Sequence, residues 1–133
     1  MSQRSVLLVE DEPLVALDVE MALTRAGFRV LGPAPTTATA LSVLRSENPD
    51  LTILDLHLGD GMAFPILDFL AETGRLFVIL SGHSRHVVPL PHRDRPYVQK
   101  PHQEQALLQV VEAALKPVEA IRARAARPCR SGT

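Results

Sequence analysis

Charged and polar residues follow several short apolar stretches of this sequence: Glu10 and Asp11, Asp55, Ser81, and Lys100. A continuous apolar run of four or five residues is typical of a strand buried in a parallel sheet. Because all strands of a parallel sheet end at one edge, we expect these side chains to lie together there. Three carboxylates at close range repel one another unless a cation joins them.

The chemistry that fits this group is phosphoryl transfer to a carboxylate. Oxygen ligands with open positions suit Mg²⁺, which keeps several waters and is often shared with a phosphoryl group. Lys100 could bind one phosphoryl oxygen, and the hydroxyl of Ser81 could donate a hydrogen bond to another. Asp55 could be the nucleophile, because phosphoryl transfer needs chiefly positioning and charge neutralisation.

The elements that must position these residues alternate between strands and helices. Helices are expected after Pro13, from Thr36 or Thr37, and from Pro65. This alternation indicates a parallel sheet covered by helices on both faces. The strands are predicted at 5–9, 28–31 (ended by Gly32-Pro33), 51–54, 76–80 and 97–100.

Two helices show clear apolar spacing. In the first, Leu14, Leu17 and Met21 share one stripe, with Ala22 and Ala26 beside it, and Gly27 is expected to end the helix. The final helix carries Leu107, Val110, Val111 and Ala114 at helical spacing.

Residues 83–96 depart from the alternation. Pro89, Pro91 and Pro96 leave room for at most one or two helical turns where a fourth helix is expected.

Length and composition predict one soluble globular domain. The chain has 133 residues, of which 46% are hydrophobic and 22% charged, and no apolar run is long enough for a membrane span. With no predicted signal peptide and a single cysteine, Cys129, we expect a cytoplasmic protein. Residues 116–133 include five basic residues and one acidic residue, which gives a net charge of +4. Since the whole chain has a net charge of −1, residues 1–115 have a net charge of −5. An acidic body makes direct binding of nucleic acid unexpected.

Five motifs in register with the predicted strands resemble those of the receiver domain of bacterial two-component response regulators, over roughly residues 5–115. The resemblance implies a flavodoxin-like (CheY-like) doubly wound five-stranded parallel sheet of order 2-1-3-4-5 with a reduced fourth helix. It implies a receiver domain over 1–116 and a basic C-terminal extension over 117–133 without an output domain. The motifs are Val9-Glu10-Asp11-Glu12, Leu54-Asp55-Leu56, Leu80-Ser81-Gly82, Tyr97 and Lys100-Pro101.

The resemblance also implies a role for each motif residue. Asp55 resembles the phosphoacceptor, and Lys100 resembles the phosphate-binding lysine, which is usually joined to Pro101 by a cis peptide. Ser81 and Tyr97 resemble the switch hydroxyl and the switch aromatic, which turns inward when the hydroxyl moves toward the phosphoryl group. The implied Mg²⁺ ligands (Mn²⁺ could replace the ion) are Glu10, Asp11, Asp55 and the backbone carbonyl of His57.

The shortened segment after Ser81 resembles a group of single-domain receivers with a Phe-Ala-Thr-Gly type of motif at the fourth strand. Here the corresponding stretch is Val-Ile-Leu-Ser-Gly at 78–82, so the match is partial. The family's partners would be a histidine kinase or histidine phosphotransfer protein and a downstream protein. A homodimer is compatible with the sequence, and no turnover enzyme is expected beyond self-phosphorylation from a donor and self-dephosphorylation.

Two other functions remain open from the sequence. A phosphate-independent interaction module would keep only the fold, which leaves the acids and Lys100 unexplained. A phosphohydrolase of the aspartyl-phosphate type typically has a second Asp two residues after the nucleophile, where this chain has His57.

Other polar residues are expected to be structural. Asp60 should shape the turn Gly59-Asp60-Gly61 rather than bind metal, and the arginine-rich tail should be a solvated extension of the last helix. Four histidines lie among prolines and arginines without a metal-binding motif and are expected to be solvated loop residues: His83, His86, His92 and His102.

Overall fold

The computed structural model describes residues 3–82, 88–100 and 103–126, with side chains as far as Lys116. A single turn of 3-10 helix, Leu90–His92, precedes the last strand. The strands are β1 (Ser5–Val9), β2 (Arg29–Ala34), β3 (Leu51–Leu54), β4 (His57–Leu58), β5 (Gly61–Met62), β6 (Phe77–Ser81) and β7 (Tyr97–Gln99). The helices are α1 (Pro13–Arg25), α2 (Thr37–Ser46), α3 (Phe64–Glu72) and α4 (Glu104–Ala126).

The main sheet has five parallel strands in the order β2-β1-β3-β6-β7. The short strands β4 and β5 form a separate antiparallel pair in the loop after β3. Without this pair, the order corresponds to the predicted 2-1-3-4-5, so the flavodoxin-like fold is confirmed. The central strand is β3, and Asp55 follows it directly.

Helices cover both faces of the sheet, and each face has its own buried apolar cluster. Helices α1 and α4 pack on one face, where α4 contributes Leu107, Val111 and Leu115. Helices α2 and α3 pack on the other face, which also receives Leu44 and Val88. The apolar residues of β1 and β6 alternate between the two clusters, so both faces of these strands are apolar, as their continuous runs predict.

Helix α1 packs through a different side from the apolar stripe identified in the sequence. Leu14, Leu17 and Met21 are 82%, 52% and 49% exposed, and we call them the α1 stripe. The buried side consists of the smaller residues Ala16, Val19, Ala22 and Leu23. Both sides have helical spacing, so periodicity alone does not select between them.

The second strand continues past its predicted end. Gly32 and Pro33 lie within β2, which accommodates the proline because β2 is an edge strand. The pairing with β1 shifts register between Leu7 and Val9 and resumes at Ala34. Gly32 has φ +95°, and a Cβ there would lie 2.7 Å from the carbonyl oxygen of Leu8. The extended strand reaches the site, because the carbonyl of Ala34 accepts a hydrogen bond from the amide of Glu10 at 3.0 Å.

The fourth helix is reduced, as predicted. In the described part of the segment before β7, residues 88–96, the 3-10 turn is the one helical element. The expectation that His92 is a solvated loop residue is wrong. His92 is buried, its Nε2 lies 3.0 Å from Oδ1 of Asp68 on α3, and its ring contacts Phe77 edge-to-face. These partners are distant in sequence, so no local pattern indicates them. The other three histidines of the group lie outside the described residues.

The last helix is longer than expected. Helix α4 continues to Ala126, so the predicted domain boundary after residue 116 falls within a helix. Within the described ranges, no helix combines the length and the apolar character needed to cross a membrane.

Gly27 and Gly32 have nearly the same positive φ, so the two positions allow backbone strain and steric clash to be compared. Gly27→Ala should lower the free energy of unfolding by about 1–2 kcal/mol, because φ is +94° there and a Cβ meets nothing within 4 Å. Gly32→Ala should lower the free energy of unfolding by about 1–3 kcal/mol more than Gly27→Ala does, because its Cβ would also clash with backbone atoms. Urea denaturation of both variants measures the difference, and equal losses would contradict the close approach at Gly32.

Candidate functional site

Asp55 lies directly after the central strand, at its carboxyl end. All four residues of β3 are buried, and the amide of Asp55 donates to the carbonyl of Val9 at 3.0 Å. The residue is only 5% exposed. Its Oδ1 accepts a hydrogen bond from the amide of His57 at 3.2 Å, which holds one carboxylate oxygen in place. The other oxygen, Oδ2, faces Lys100.

Two further acids come from the end of β1, beside Asp55. Glu10 is buried, and its Oε1 accepts a hydrogen bond from the amide of Glu12 at 3.1 Å. Asp11 is partly exposed. Carboxylate oxygens of Glu10, Asp11 and Asp55 all lie within 4.8 Å of one another. The structure therefore brings together the three acids that the strand-end argument placed at one edge.

Lys100 follows β7 and reaches across the sheet edge to two of these acids. Its Nζ donates to Oε2 of Glu10 at 2.8 Å and to Oδ2 of Asp55 at 2.9 Å, and its side chain is 14% exposed. The amide of Lys100 donates to the carbonyl of Ser81 at 2.8 Å, which fixes the residue against β6. The predicted cis peptide to Pro101 lies outside the described residues.

Burial and charge shift the pKa values of two of these groups. Burial raises the pKa of Glu10 to about 6, with a further increase from the charge of Asp55, although the hydrogen bond from Lys100 opposes this. For Lys100, burial lowers the pKa, but its hydrogen bonds to Glu10 and Asp55 outweigh burial, so the pKa is raised. Lys100 is therefore a cation at neutral pH, and Glu10 ionises less readily than an ordinary glutamate.

Ser81 and Tyr97 lie on the same face of neighbouring strands. Tyr97 pairs with Ile79 in the register of β6 and β7, and Ser81 is two residues after Ile79. Ser81 is fully buried. The ring of Tyr97 packs against the cluster under α2 and α3, and its hydroxyl oxygen is buried. Tyr97 is thus already directed inward in this structure.

His57 and Asp60 lie in the loop after Asp55. His57 begins β4 with an exposed side chain. Asp60 has a structural contact beyond its own turn: its carboxylate accepts from the amides of Thr37 at 2.9 Å and Ala38 at 3.4 Å, at the start of α2. The hydrogen bond from Thr37 lowers the pKa of Asp60. Asp60 therefore anchors the loop to α2, a contact for which the local sequence offers no signal.

The donor set fits a hard divalent cation. Three carboxylates within 4.8 Å of one another carry up to three negative charges, of which Lys100 balances one. Mg²⁺ prefers oxygen ligands and is usually held by one or two carboxylates together with several waters. With a divalent cation bound to these acids, the cation and Lys100 could neutralise the oxygens of a phosphoryl group next to Asp55.

Comparison with known proteins identifies the family of this chain. The family model described as the response regulator receiver domain matches residues 6–112. The transcriptional regulatory protein AfsQ1 of Streptomyces coelicolor is 33% identical over 116 residues, which cover 84% of this chain and 51% of that protein. A putative transcriptional regulator of Pseudomonas aeruginosa is 39% identical over 71 residues, 53% of this chain and 31% of that protein. The chain thus spans about a third to a half of the length of these curated relatives.

Solved structures show similar folds. The solution structure of SdrG from Sphingomonas melonis Fr1 is 34% identical, with a TM-score of 0.76, and the match covers 86% of this chain and 99% of that one. The crystal structure of the response regulator PhyR from Brucella abortus is 25% identical, with a TM-score of 0.79, over 94% of this chain and 53% of that one.

The raised pKa of Glu10 predicts a pH dependence of stability when Mg²⁺ is chelated. Because the folded-state pKa, about 6, exceeds the ordinary 4.5, folding favours the protonated carboxyl. This contribution is fully present below pH 4.5 and is lost as the pH rises through about 6. Across that window, the free energy of unfolding of the wild type should fall by about 1–2 kcal/mol relative to Glu10→Gln.

Chemical denaturation at several pH values measures this difference. The exposed neighbour Glu12 supplies the control, since Glu12→Gln leaves the contribution of Glu10 in place. Parallel pH profiles for the wild type and Glu10→Gln would show that burial of Glu10 does not oppose its ionisation.

Proposed function

The chain belongs to the response regulator receiver domain family, and we propose that Asp55 accepts a phosphoryl group from a histidine kinase or a histidine phosphotransfer protein. One observation carries the proposal: the buried carboxylate of Asp55 shares the ammonium of Lys100 with Glu10, inside a cluster of three acids. A structural aspartate does not require a second and third acid beside it. A phosphoacceptor does, because the acids hold the cation that neutralises the phosphoryl oxygens.

In the transfer step, a carboxylate oxygen of Asp55 attacks the phosphorus of the donor's phosphohistidine. The bond between phosphorus and imidazole nitrogen breaks, the imidazole leaves with its electron pair, and an acyl phosphate forms on Asp55. Glu10, Asp11, Asp55 and the backbone carbonyl of His57 would hold Mg²⁺, which supplies charge neutralisation when it is bound. Lys100 then exchanges its contact with the carboxylate of Asp55 for one with a phosphoryl oxygen.

The phosphorylated state would be read out through Ser81 and Tyr97. The hydroxyl of Ser81 can donate to a phosphoryl oxygen, and Lys100 is bonded to the same strand through the carbonyl of Ser81. A shift of Ser81 changes the packing of Tyr97 on the adjoining strand. We propose that the signal leaves by altered binding of a downstream protein in the cytoplasm, without direct contact to DNA and without enzymatic turnover of a separate substrate.

Phosphorylation of Asp55 can be tested with a matched pair of aspartate substitutions. With Mg²⁺ and a small acyl-phosphate donor, intact-mass analysis should show one phosphoryl group on the wild type and none on Asp55→Asn. Asp60→Asn should still be modified, because Asp60 binds the start of α2 rather than the acid cluster. Chelation of Mg²⁺ should abolish the adduct on the wild type.

Three results would contradict the proposal. A phosphoryl group retained on Asp55→Asn would place the acceptor elsewhere. An unmodified wild type, with both the small donor and a phosphorylated histidine phosphotransfer protein, would favour a phosphate-independent interaction module. Continuous turnover of a small phosphate ester would favour a phosphohydrolase.

The switch can be followed through Tyr97 itself. The chain has one tyrosine and no tryptophan, so its intrinsic fluorescence reports Tyr97 alone. Phosphorylation should change this fluorescence in the wild type, because Tyr97 is partly buried beside the strand of Ser81. Ser81→Ala should still gain the phosphoryl group by mass but lose most of the fluorescence change. An unchanged signal in the phosphorylated wild type would exclude Tyr97 as the switch aromatic.

A further inference from the structure

We propose that the contact between His92 and Asp68, which we call the latch, holds Tyr97 in its inward position before any phosphoryl group is present. The inference deepens the proposed function and rests on it, because Tyr97 is the residue through which the phosphorylated state would be read out. His92 and Asp68 are thus positioning residues, which act on the switch through the segment that leads to Tyr97.

The segment before β7 has few backbone hydrogen bonds of its own. Its 3-10 turn supplies the bonds from the amide of His92 to the carbonyl of Pro89 at 2.9 Å, and from the amide of Arg93 to the carbonyl of Leu90 at 3.2 Å. A full helix is held by bonds between successive turns, whereas prolines remove donors from such a ladder. The position of this segment therefore depends on its contacts with the rest of the protein.

His92 supplies such a contact and is less favourable in this position than an apolar residue would be. The residue is 5% exposed, and its Nε2 lies 3.0 Å from Oδ1 of Asp68 on α3. Since a carboxylate only accepts, Nε2 carries the proton and donates. The other ring nitrogen, Nδ1, is buried and has no hydrogen-bond partner among the described residues. Burial of an unpaired polar atom is unfavourable, so what histidine adds here is the bond to α3 rather than packing.

His92 and Tyr97 pack against the same face of β6. The ring of His92 contacts Phe77 edge-to-face, with the ring centroids 6.2 Å apart, and Phe77 belongs to the apolar cluster against which Tyr97 packs. Tyr97 lies opposite Ile79 in the neighbouring strand. Ile79 and Phe77 are two residues apart in β6 and therefore lie on one face. The latch thus fixes the chain five residues before Tyr97, on the face of the sheet where the ring of Tyr97 is packed.

The latch can open without opening the core. The side chain of Asp68 is 65% exposed, so water can replace His92 as its partner. His92 could then leave the ring of Phe77, and the residues between His92 and Tyr97 would lose this attachment to α3. The latch therefore biases Tyr97 toward the inward position, which is the one that a phosphoryl group on Asp55 would also favour.

Substitution of Asp68 tests the latch with little disturbance of the core, since Asp68 is its exposed partner. Asp68→Ala removes the acceptor for His92, whereas Asp68→Asn keeps an acceptor oxygen. The matched control is Glu104→Ala, which removes an exposed contact between α4 and α1: Glu104 lies 2.7 Å from Arg25, and its side chain is 45% exposed. As a second variant of the latch, His92→Phe keeps an aromatic ring against Phe77 but has no nitrogen to bind Asp68.

The measurement is acrylamide quenching of Tyr97 fluorescence in the unphosphorylated protein, without any donor. For Asp68→Ala and His92→Phe, the quenching constant should rise about twofold or more, because a larger share of the molecules would expose the ring to water. Asp68→Asn and Glu104→Ala should match the wild type. After phosphorylation by a small acyl phosphate with Mg²⁺, the quenching constant of Asp68→Ala should return toward the wild-type value, because the phosphoryl group favours the inward position.

Each contrary outcome overturns the inference. If Asp68→Ala is less stable in urea but is quenched like the wild type, the contact is structural and does not position Tyr97. If Glu104→Ala or Asp68→Asn shows the same increase as Asp68→Ala, the increase comes from general loosening or from loss of charge rather than from the latch. If phosphorylated Asp68→Ala is quenched as strongly as the unphosphorylated variant, the latch is not part of the switch.

Failure of the latch can be distinguished from failure of the proposed function, because the first quenching measurements involve no phosphoryl group. A wild type that gains no phosphoryl group by intact mass, from the small donor or from a phosphorylated histidine phosphotransfer protein, would overturn the proposed function and with it the role of the latch in a switch. Quenching of the unphosphorylated variants would still show whether the contact positions Tyr97.

Discussion

The ammonium of Lys100, held between Glu10 and Asp55, is the interaction on which the site depends. Carboxylates buried side by side repel, and ionised groups in a poorly solvated position are costly unless they are paired. The positive charge of Lys100 offsets the repulsion between these carboxylates. Its two contacts are with residues that lie 90 and 45 positions before it in the chain. The lysine follows an edge strand and the acids follow two inner strands, so the same contacts tie three strands together at one edge.

The contacts of Lys100 also connect the site to the rest of the protein. A phosphoryl group on Asp55 would add negative charge where Lys100 already divides its charge between two acids, and it would redistribute the contacts of the lysine. The amide of Lys100 is bonded to Ser81, and Tyr97 lies three residues before the lysine. The segment ahead of Tyr97 is joined to α3 by the part-buried contact between His92 and Asp68. The strand that carries Tyr97 is therefore preceded by a segment that is attached to α3.

The fold and the assembly of the site could be predicted because both depend on patterns that are local in the sequence. The inner strands are largely apolar, and Glu10 and Asp55 directly follow two of them, while Lys100 follows the short strand Tyr97–Gln99. Parallel pairing then brings Glu10, Asp55 and Lys100 to one edge without further information. The continuation of β2 past Gly32 and Pro33 could not be predicted in this way, because a Gly-Pro pair indicates the end of a strand. The strand continues because β1 supplies a partner for Ala34 after a shift in register.

The sequence by itself determined the order of the elements, the parallel sheet and the acids and lysine at its edge, because apolar periodicity and strand-end position do not depend on distant contacts. Only the tertiary structure decided which side of α1 is buried, since Leu14 and Val19 belong to two sides with equally helical spacing. It also decided the burial of His92 against α3 and the contact of Asp60 with α2. These depend on which surfaces fit closely once the sheet is formed, and packing of that kind is a property of the assembled chain rather than of any local segment.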